Sequence, residues 1–326
     1  MSLLWAPLIA KRGPSARRFF AGRGGAPYAA RVTWLKGNLH THSTLSDGDS
    51  EPADVIAWYR DHGWDFIALT DHNKLEVHDG GPLIVIPSEE VSSVGAGRPV
   101  HVNAFGPRHR VLPIQGDSVA GTLRATVAAS NAAGAIASVN HPNFRWGLDL
   151  EALLAGAGAG LLEVWNGHPE VANAGDRKHA SVESLWDQCL GLGRWYWGVA
   201  VDDMHHLRTI SSDKANPGRG WVMVRAQKSV DGVLRALAAG DFYASTGVTL
   251  SRVELGAGRV GLTVDGEGAF HVEIVGAGGR ILYETDERVV DWESGPGDGY
   301  LRARITGPGG SKAWTQPVAM RPKAPT

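Results

Sequence analysis

With a single cysteine, Cys189, in 326 residues, the chain can form no internal disulfide and must be held by its core. That thiol reads as a buried, inert residue rather than a nucleophile, and a reducing compartment, the cytoplasm, fits. Net charge is nearly absent too, at −2, so there is no basic excess to attract nucleic acid or an anionic membrane. Long apolar runs are missing: the N-terminal LLWAPLIA is far short of the roughly 20 residues that a spanning helix needs. It also precedes its positive charges (Lys11, Arg12, Arg17, Arg18, Arg23), the reverse of a secretory signal. Acidic residues are absent before Asp47. Residues 1–33 therefore read as a loosely ordered basic extension.

What is present is the make-up of a soluble globular protein, with 43% hydrophobic and 20% charged residues. The length suits one large domain of roughly 200 to 250 residues and a smaller one. From Trp34 short apolar runs alternate with helical patterns. Ser50 is placed to cap a helix with Glu51 and Pro52 in its first turn and Val55, Trp58, Tyr59 and His62 on one face, stopped by Gly63. Strands are expected at 66–69, 83–86, 100–105, 135–139, 161–165 and 196–201, and helices at 119–133 and 182–190. Such alternation predicts an α/β fold of parallel strands joined by helices, as an open sheet or a closed barrel. Beyond Phe242 the helical period gives way to short alternating runs and Gly-rich turns, which predict a small antiparallel β module. The expected division is 34–247 for the α/β domain, 248–320 for a β-sandwich-like module and 321–326 for an unstructured tail. GAGAG at 156–160 precedes a strand instead of following one, which argues against a nucleotide loop.

Chemistry gathers in LHTHSTLSDG, residues 39–48. Histidines two apart leave a strand on one face and can grip one ion, and Asp47, in the loop that follows, is free to curl back as an oxygen ligand. Asp71 and His72, Glu90, His101, His141, and Asp203 with His205 all fall at predicted strand ends, where ligands converge in parallel α/β folds. Six imidazoles and three carboxylates are too many for one ion. The carboxylates would repel one another in a buried site unless cations neutralised them. A polynuclear site is expected, and mixed N and O donors without thiolate suit Zn, Mn or Fe.

These segments (LHTHSTLSDG, ALTDHN, PSEEVSS, NHPN, LEVWNG and DDMHH) together resemble the PHP superfamily, named for polymerase and histidinol phosphatase domains. With ESLWDQCLGLGRWYWGVAVDD and DFYASTG the pattern is similar to its CehA/McbA-like metallohydrolase branch, over roughly residues 34–255. The resemblance implies a distorted seven-stranded β/α barrel holding two to three divalent ions (Mn, Zn or Fe). By the family pattern the first ion would take His40, His42, Glu90 and Asp203. The second would share Glu90 and add His101 and His141, and the third would take Asp47, His72 and His205. The family's Gly-x-Glu selects Glu90 over Glu89, although Ser88 stands where the family usually has Gly. Its Asp-x-His selects Asp203 and His205 over Asp202 and His206.

Outside this set, Asp71 is expected to orient a neighbouring ligand. Arg145 and Asn166 are candidates for holding a substrate anion, and Trp146 and Trp165 for walling an apolar pocket. His62, His78, His109, His168, His179 and His271 read as ordinary histidines. The expected activity is hydrolysis of a small phosphate mono- or diester. Two ions bridged by a carboxylate can hold a water whose pKa falls toward roughly 7. The alternatives are hydrolysis of a carbamate or carboxylic ester on the same site, and a non-catalytic metal-binding module, which predicts lost ligands that this sequence does not show.

Overall fold

The run TWLKGN passes from exposed to buried positions and forms the strand β1 (Thr33–Asn38). The computed structural model describes residues 32–297 and 299–320. The expected extension, up to residue 31, and the tail 321–326 lie outside the described residues. After β1 come α1 (Pro52–Asp61), β2 (Phe66–Ala68), β3 (Ile84–Ile86), β4 (Ser88–Gly95) and β5 (Arg98–Phe105). Then follow β6 (Gln115–Gly116), α2 (Val119–Ala132), β7 (Ile136–Val139), α3 (Leu150–Ala155), β8 (Leu161–Asn166), α4 (Val182–Gly191) and β9 (Trp197–Val201). β10 (Trp221–Ala226), α5 (Val230–Ala239) and β11 (Phe242–Ser245) complete this portion. Of the elements up to β11, β4, β6, α3, β10 and α5 are not among those expected from the sequence.

Helix starts follow local chemistry. Ser118, Asp149, Ser181 and Ser229 each accept the N–H three residues on and so cap α2 to α5. At α1 the cap residue is Glu51, not Ser50. Pro52 restricts the residue before it to extended backbone, and Glu51 adopts it, with φ −63° and ψ 151° and no side-chain cap bond. The buried face carries Val55, Ile56 and Tyr59.

The strands of this portion lie in two sheets. One contains the order β11-β10-β1-β2-β3 and the other runs β6-β4-β5-β7-β8-β9, so the backbone ladders do not close a barrel among the described residues. Parallel pairs are found, as alternation predicts, at β1–β2, β2–β3, β7–β8 and β8–β9. Antiparallel pairs at β4–β5, β5–β7, β1–β10 and β10–β11 depart from the all-parallel expectation. The reason for the first lies in Ala96 and Gly97, with φ of 48° and 76°, which make a two-residue hairpin turn. A parallel connection would need a crossover of a dozen or more residues. The hairpin also places Glu90 and His101 inside strands rather than at their ends. Isolated parallel bridges at Thr41–Met204 and His72–Glu90 tie the two sheets together. Between the sheets one buried cluster takes Leu35, Phe66 and Val224 from the first and Phe105, Leu161 and Val199 from the second.

Beyond β11 the strands are β12 (Thr249–Gly256), β13 (Arg259–Asp265), β14 (His271–Gly276), β15 (Arg280–Thr285), β16 (Val289–Glu293), β17 (Tyr300–Thr306), β18 (Lys312–Thr315) and β19 (Val318–Ala319). β12-β13-β16 make a separate sheet, whereas β15-β14-β17-β18 continue the first sheet through β11. The boundary expected at 247/248 thus falls between β11 and β12, and β18 returns across it to pair with β11. Arg302, fully buried on β17, binds Asp187 at 2.7 Å and Glu183 at 2.8 Å on α4. Cys189 on the same helix is buried, and burial pushes its thiol up to about 12, so it is inert at neutral pH.

Gly37 sets how closely β1 approaches β2. It pairs with Phe66, and a Cβ there would meet the Phe66 ring at 2.1 Å. Gly37→Ala should cost about 1–3 kcal/mol through overpacking, read as a lower denaturation midpoint in urea. An unchanged midpoint would mean the strands separate freely.

Candidate metal centre

Extended backbone persists past β1, since His42 N–H donates to Met204 O and Thr70 N–H to Thr41 O, both at 2.8 Å. His40 and His42 therefore project together although they lie beyond the strand, with their Nε2 atoms 3.1 Å apart. Two other members occupy uncommon backbone: His141 has φ 23° and Asp203 φ 51°, conformations that persist where the surroundings over-determine them.

All nine residues selected from the sequence come together. Ligand atoms of His40, His42 and Asp203 lie within 4.8 Å of one another, as do those of His40, Glu90 and His141, of His72, Glu90 and His101, and of His42, Asp47, His72 and His205. Glu90 is the hub. Its Oε2 lies 3.3 Å from His40 Nε2, 3.4 Å from His42 Nε2 and 3.0 Å from His72 Nδ1. Yet that buried oxygen accepts no hydrogen bond from a described residue, and His101 Nδ1 is likewise buried without one. Oε1 lies 3.0 Å from His101 Nδ1 and 3.2 Å from His141 Nε2 and accepts from Asn140 Nδ2 at 2.8 Å. Asp203 Oδ1 lies 3.2 Å from His40 Nε2 and 3.3 Å from His42 Nε2. Asp47 stands 3.4 Å from each of His42, His72 and His205.

Donors converging at 3.0–3.4 Å without hydrogen-bond geometry fit a shared cation. Metal–ligand bonds of about 2.1 Å give polyhedron edges of about 3.0 Å in an octahedron and about 3.4 Å in a tetrahedron. The donor set, imidazole nitrogen and carboxylate oxygen, suits divalent metal ions.

The electrostatics say the same. Burial would raise Glu90 and Asp203, but the surrounding histidines, His40 foremost, hold both well below the usual carboxylate range. Burial likewise opposes charge on His40, but Asp203, Glu90 and Glu163 keep it well above the ordinary histidine value. His72, also partly buried, is lifted to about 10 by Glu90 and Asp47. His42 moves the other way, to about 4, because burial and the neighbouring His205 outweigh its carboxylates. Without cations, protons on the histidines offset the carboxylates; a divalent ion would take that place and displace them.

Residues behind the ligands hold them in position. Glu163, on β8, accepts from His40 Nδ1 at 2.6 Å, from the His141 backbone N–H at 2.7 Å and from Asn166 Nδ2 at 2.9 Å. This leaves His40 Nε2 as the free ligand atom. Neither Glu163 nor Asn140 was singled out from sequence, although a lone acid between Leu162 and Val164 in an apolar strand is a legible sign of a buried, partnered charge. Asn166 is brought in, but as a tie: its Nδ2 also donates to Asp203 Oδ2 at 3.0 Å and its Oδ1 accepts from His168 N–H at 2.8 Å. Asp71 accepts from Ser43 N–H at 2.8 Å and from the Ser43 and Ser46 hydroxyls at 2.7 Å. Ser46 Oγ is 3.2 Å from His42 Nδ1, so Asp71 acts on that ligand through the loop.

The neighbours passed over point elsewhere. Glu89 accepts from Val111 N–H at 2.6 Å on the opposite face of β4. Asp202 accepts from Tyr59 OH at 2.7 Å and Arg219 N–H at 2.6 Å, and burial raises it to about 6. Arg145 is not brought to the cluster. The chain turns through positive φ at Arg145 and Trp146, and the exposed Arg145 guanidinium lies over Phe144 at 5.0 Å. Trp146 stacks on His179 at 4.0 Å and Trp165 on Trp314 at 6.3 Å, so neither walls the site. A cavity of about 170 Å³ opens over this cluster, with Phe144, His168 and Glu170 completing its wall; the sequence reading of His168 as an ordinary histidine did not place it here. A larger cavity of about 330 Å³, beside Trp34 and Trp197, contains none of these groups, so chemistry rather than volume singles out the site.

No family model matches the chain, and no curated protein matches it either. Among solved structures, a two-domain protein from Bacteroides vulgatus, described as containing a predicted PHP-like metal-dependent phosphoesterase, is similar at 16% identity. That alignment covers 89% of this chain and 95% of the other, with a TM-score of 0.49. A candidate metal-dependent phosphoesterase from Bifidobacterium adolescentis is 15% identical, covering 55% of this chain and 89% of its own, with a TM-score of 0.42. An amidohydrolase from Chromobacterium violaceum, with bound sulfate and no metal, is 16% identical over 53% and 88%, with a TM-score of 0.37.

Two outcomes are expected. Glu90→Gln and Asp203→Asn should each remove most bound metal, whereas Glu89→Gln and Asp202→Asn should leave it near wild type, by elemental analysis of purified protein; the reverse ranking would put the register off by one. His72 is lifted to about 10 and His40 well above the ordinary histidine value, so both favour the protonated form without metal. Loading with Mn or Zn should then release protons, and uptake should weaken as pH falls. Calorimetry in buffers of different ionisation enthalpy measures the release, and a value near zero would contradict the charge assignment.

Proposed function

We propose that this chain is a metal-dependent hydrolase of the PHP type that cleaves small phosphate mono- or diesters at a di- or trinuclear centre. The observation that carries this assignment is Glu90 Oε2: buried, accepting no hydrogen bond from a described residue, and ringed by three imidazole nitrogens. His40, His42, Glu90 and Asp203 would hold one ion, Glu90, His101 and His141 a second, and Asp47, His72 and His205 a third, drawn from Mn, Zn or Fe. The ions, when bound, supply Lewis acidity toward a phosphoryl oxygen and lower the pKa of water toward about 7.

The protein's own part is to orient and to exclude. Glu163 fixes the His40 ring and the His141 backbone, Asn166 holds Asp203, and the Asp71–Ser46 pair steadies His42. We assign residues 34–247 to the catalytic domain and 248–320 to a β-sandwich-like module. As the frame we propose a distorted seven-stranded barrel of β1, β2, β4, β5, β7, β8 and β9. The single bridges Thr41–Met204 and His72–Glu90, which fall at its two unladdered seams, support that frame. Two or three divalent ions outweigh the carboxylates of Asp47, Glu90 and Asp203, so an anionic ester is favoured over a neutral one.

A second assignment, a carbamate or carboxylic ester hydrolase on the same centre, is favoured by one observation: among the described residues no Arg or Lys lines the cavity, whereas Phe144 does. Specificity constants for nitrophenyl phosphate, bis-nitrophenyl phosphate, nitrophenyl acetate and naphthyl carbamate, with Mn, Zn and Fe, separate the two. The phosphate compounds should be turned over better. A preference of more than about tenfold for the neutral substrates, about 1.4 kcal/mol, would replace the first assignment with the second.

A further inference from the structure

Eleven residues line the cavity above the ligands, and eight of them belong to the nine proposed ligands. The other three are Phe144, which has no polar atom to offer, Glu170, an exposed carboxylate, and His168. Since among the described residues no Arg or Lys lines the cavity, a substrate oxygen that does not face an ion has few donors to meet.

His168 is built to be one. Its backbone N–H donates to Asn166 Oδ1 at 2.8 Å, and Asn166 in turn donates to Glu163 and Asp203, so the residue is anchored to the ligand cluster. Its ring stands edge-on to His205 at 5.3 Å and to Phe144 at 6.2 Å, which restricts its orientation. Its Nδ1 accepts the Glu170 backbone N–H at 3.1 Å. A ring nitrogen that accepts a hydrogen bond carries no proton, so the neutral ring has its N–H at Nε2. Among the described residues Nε2 has no partner.

We propose that His168 is a substrate-binding residue whose Nε2–H donates to a non-bridging oxygen of the phosphate group, on the side away from the ions. The proposal rests on the hydrolase assignment above. A donor of this kind acts in the ground state as well as the transition state, so its loss should raise KM more than it lowers kcat.

The test uses the full chain loaded with Mn and inorganic phosphate as the probe. Metal content is measured by elemental analysis and phosphate affinity by calorimetry, for wild type, His168→Phe and His168→Gln. His168→Phe should keep its metal and bind phosphate roughly tenfold or more weakly, the loss expected for a hydrogen bond to a charged group. His168→Gln, whose side-chain amide can reach the same region, should recover most of that affinity. Full metal with phosphate affinity within twofold of wild type in His168→Phe would overturn the proposal, and so would loss of metal from that variant, which would make His168 part of the ion-holding frame. Wild type that binds no metal would instead sink the hydrolase assignment, and this proposal with it. Wild type that holds metal but binds no phosphate would end the phosphate assignment alone, and with it this role for His168.

Discussion

Glu90 and Asp203 are carboxylates taken almost wholly out of water, and the organisation of the site follows from having to neutralise them. An isolated buried carboxylate is too costly to keep ionised. Here each is encircled by imidazoles, which hold it ionised by carrying protons or by sharing cations. Histidines raised by carboxylates are held in the form that an incoming ion would have to deprotonate. His42, lowered by burial and by His205, is the exception.

Neutralisation requires atoms from chain segments far apart in sequence to meet within a few ångströms, and the mixed sheets supply that. Parallel β1, β2, β8 and β9 bring the ends that carry His40, Asp71, Asn166 and Asp203 to one side. The β4–β5 hairpin brings Glu90 and His101 in through strand interiors, where alternation turns Glu90 toward the ligands and Glu89 away. Left-handed backbone at His141 and Asp203 then aims side chains that regular strands would direct elsewhere. Glu163 and Asn166 hold that backbone and those side chains by hydrogen bonds, a fixed frame being what a metal centre needs if ligand geometry is to be kept when ions are absent.

The strands beyond β11 share in this frame. Since β18 pairs with β11 and β17 with β18, the first sheet runs on without a break, and Arg302 is pinned to Asp187 and Glu183 on α4. A buried guanidinium with both carboxylates in reach is expensive to break and specific in what it will pair with, so it sets how these strands dock against the helix.

The nine-residue cluster was legible in the sequence because histidine and carboxylate are scarce in apolar strands, and their recurrence at successive strand ends is hard to explain without a common target. The positions of α1, α2 and α4 were legible for a similar reason, since periodicity is local, although Glu51 rather than Ser50 precedes α1 and α3 and α5 were missed. Three things were not. The hairpin between β4 and β5 depends on two residues of positive φ, which make the β4–β5 pair antiparallel. The role of Glu163 needs its distance to His40, 123 residues away in sequence. The separation of Arg145 and Trp146 from the cavity is decided by a turn that carries both side chains outward, and the entry of His168 by the Asn166 tie that draws it in. Strand-end placement of histidines and carboxylates, with the motif resemblance, marked a cluster of potential metal ligands in the sequence; which side chains face the cavity was decided only by tertiary structure, because facing depends on backbone direction and long-range hydrogen bonds that no local pattern encodes.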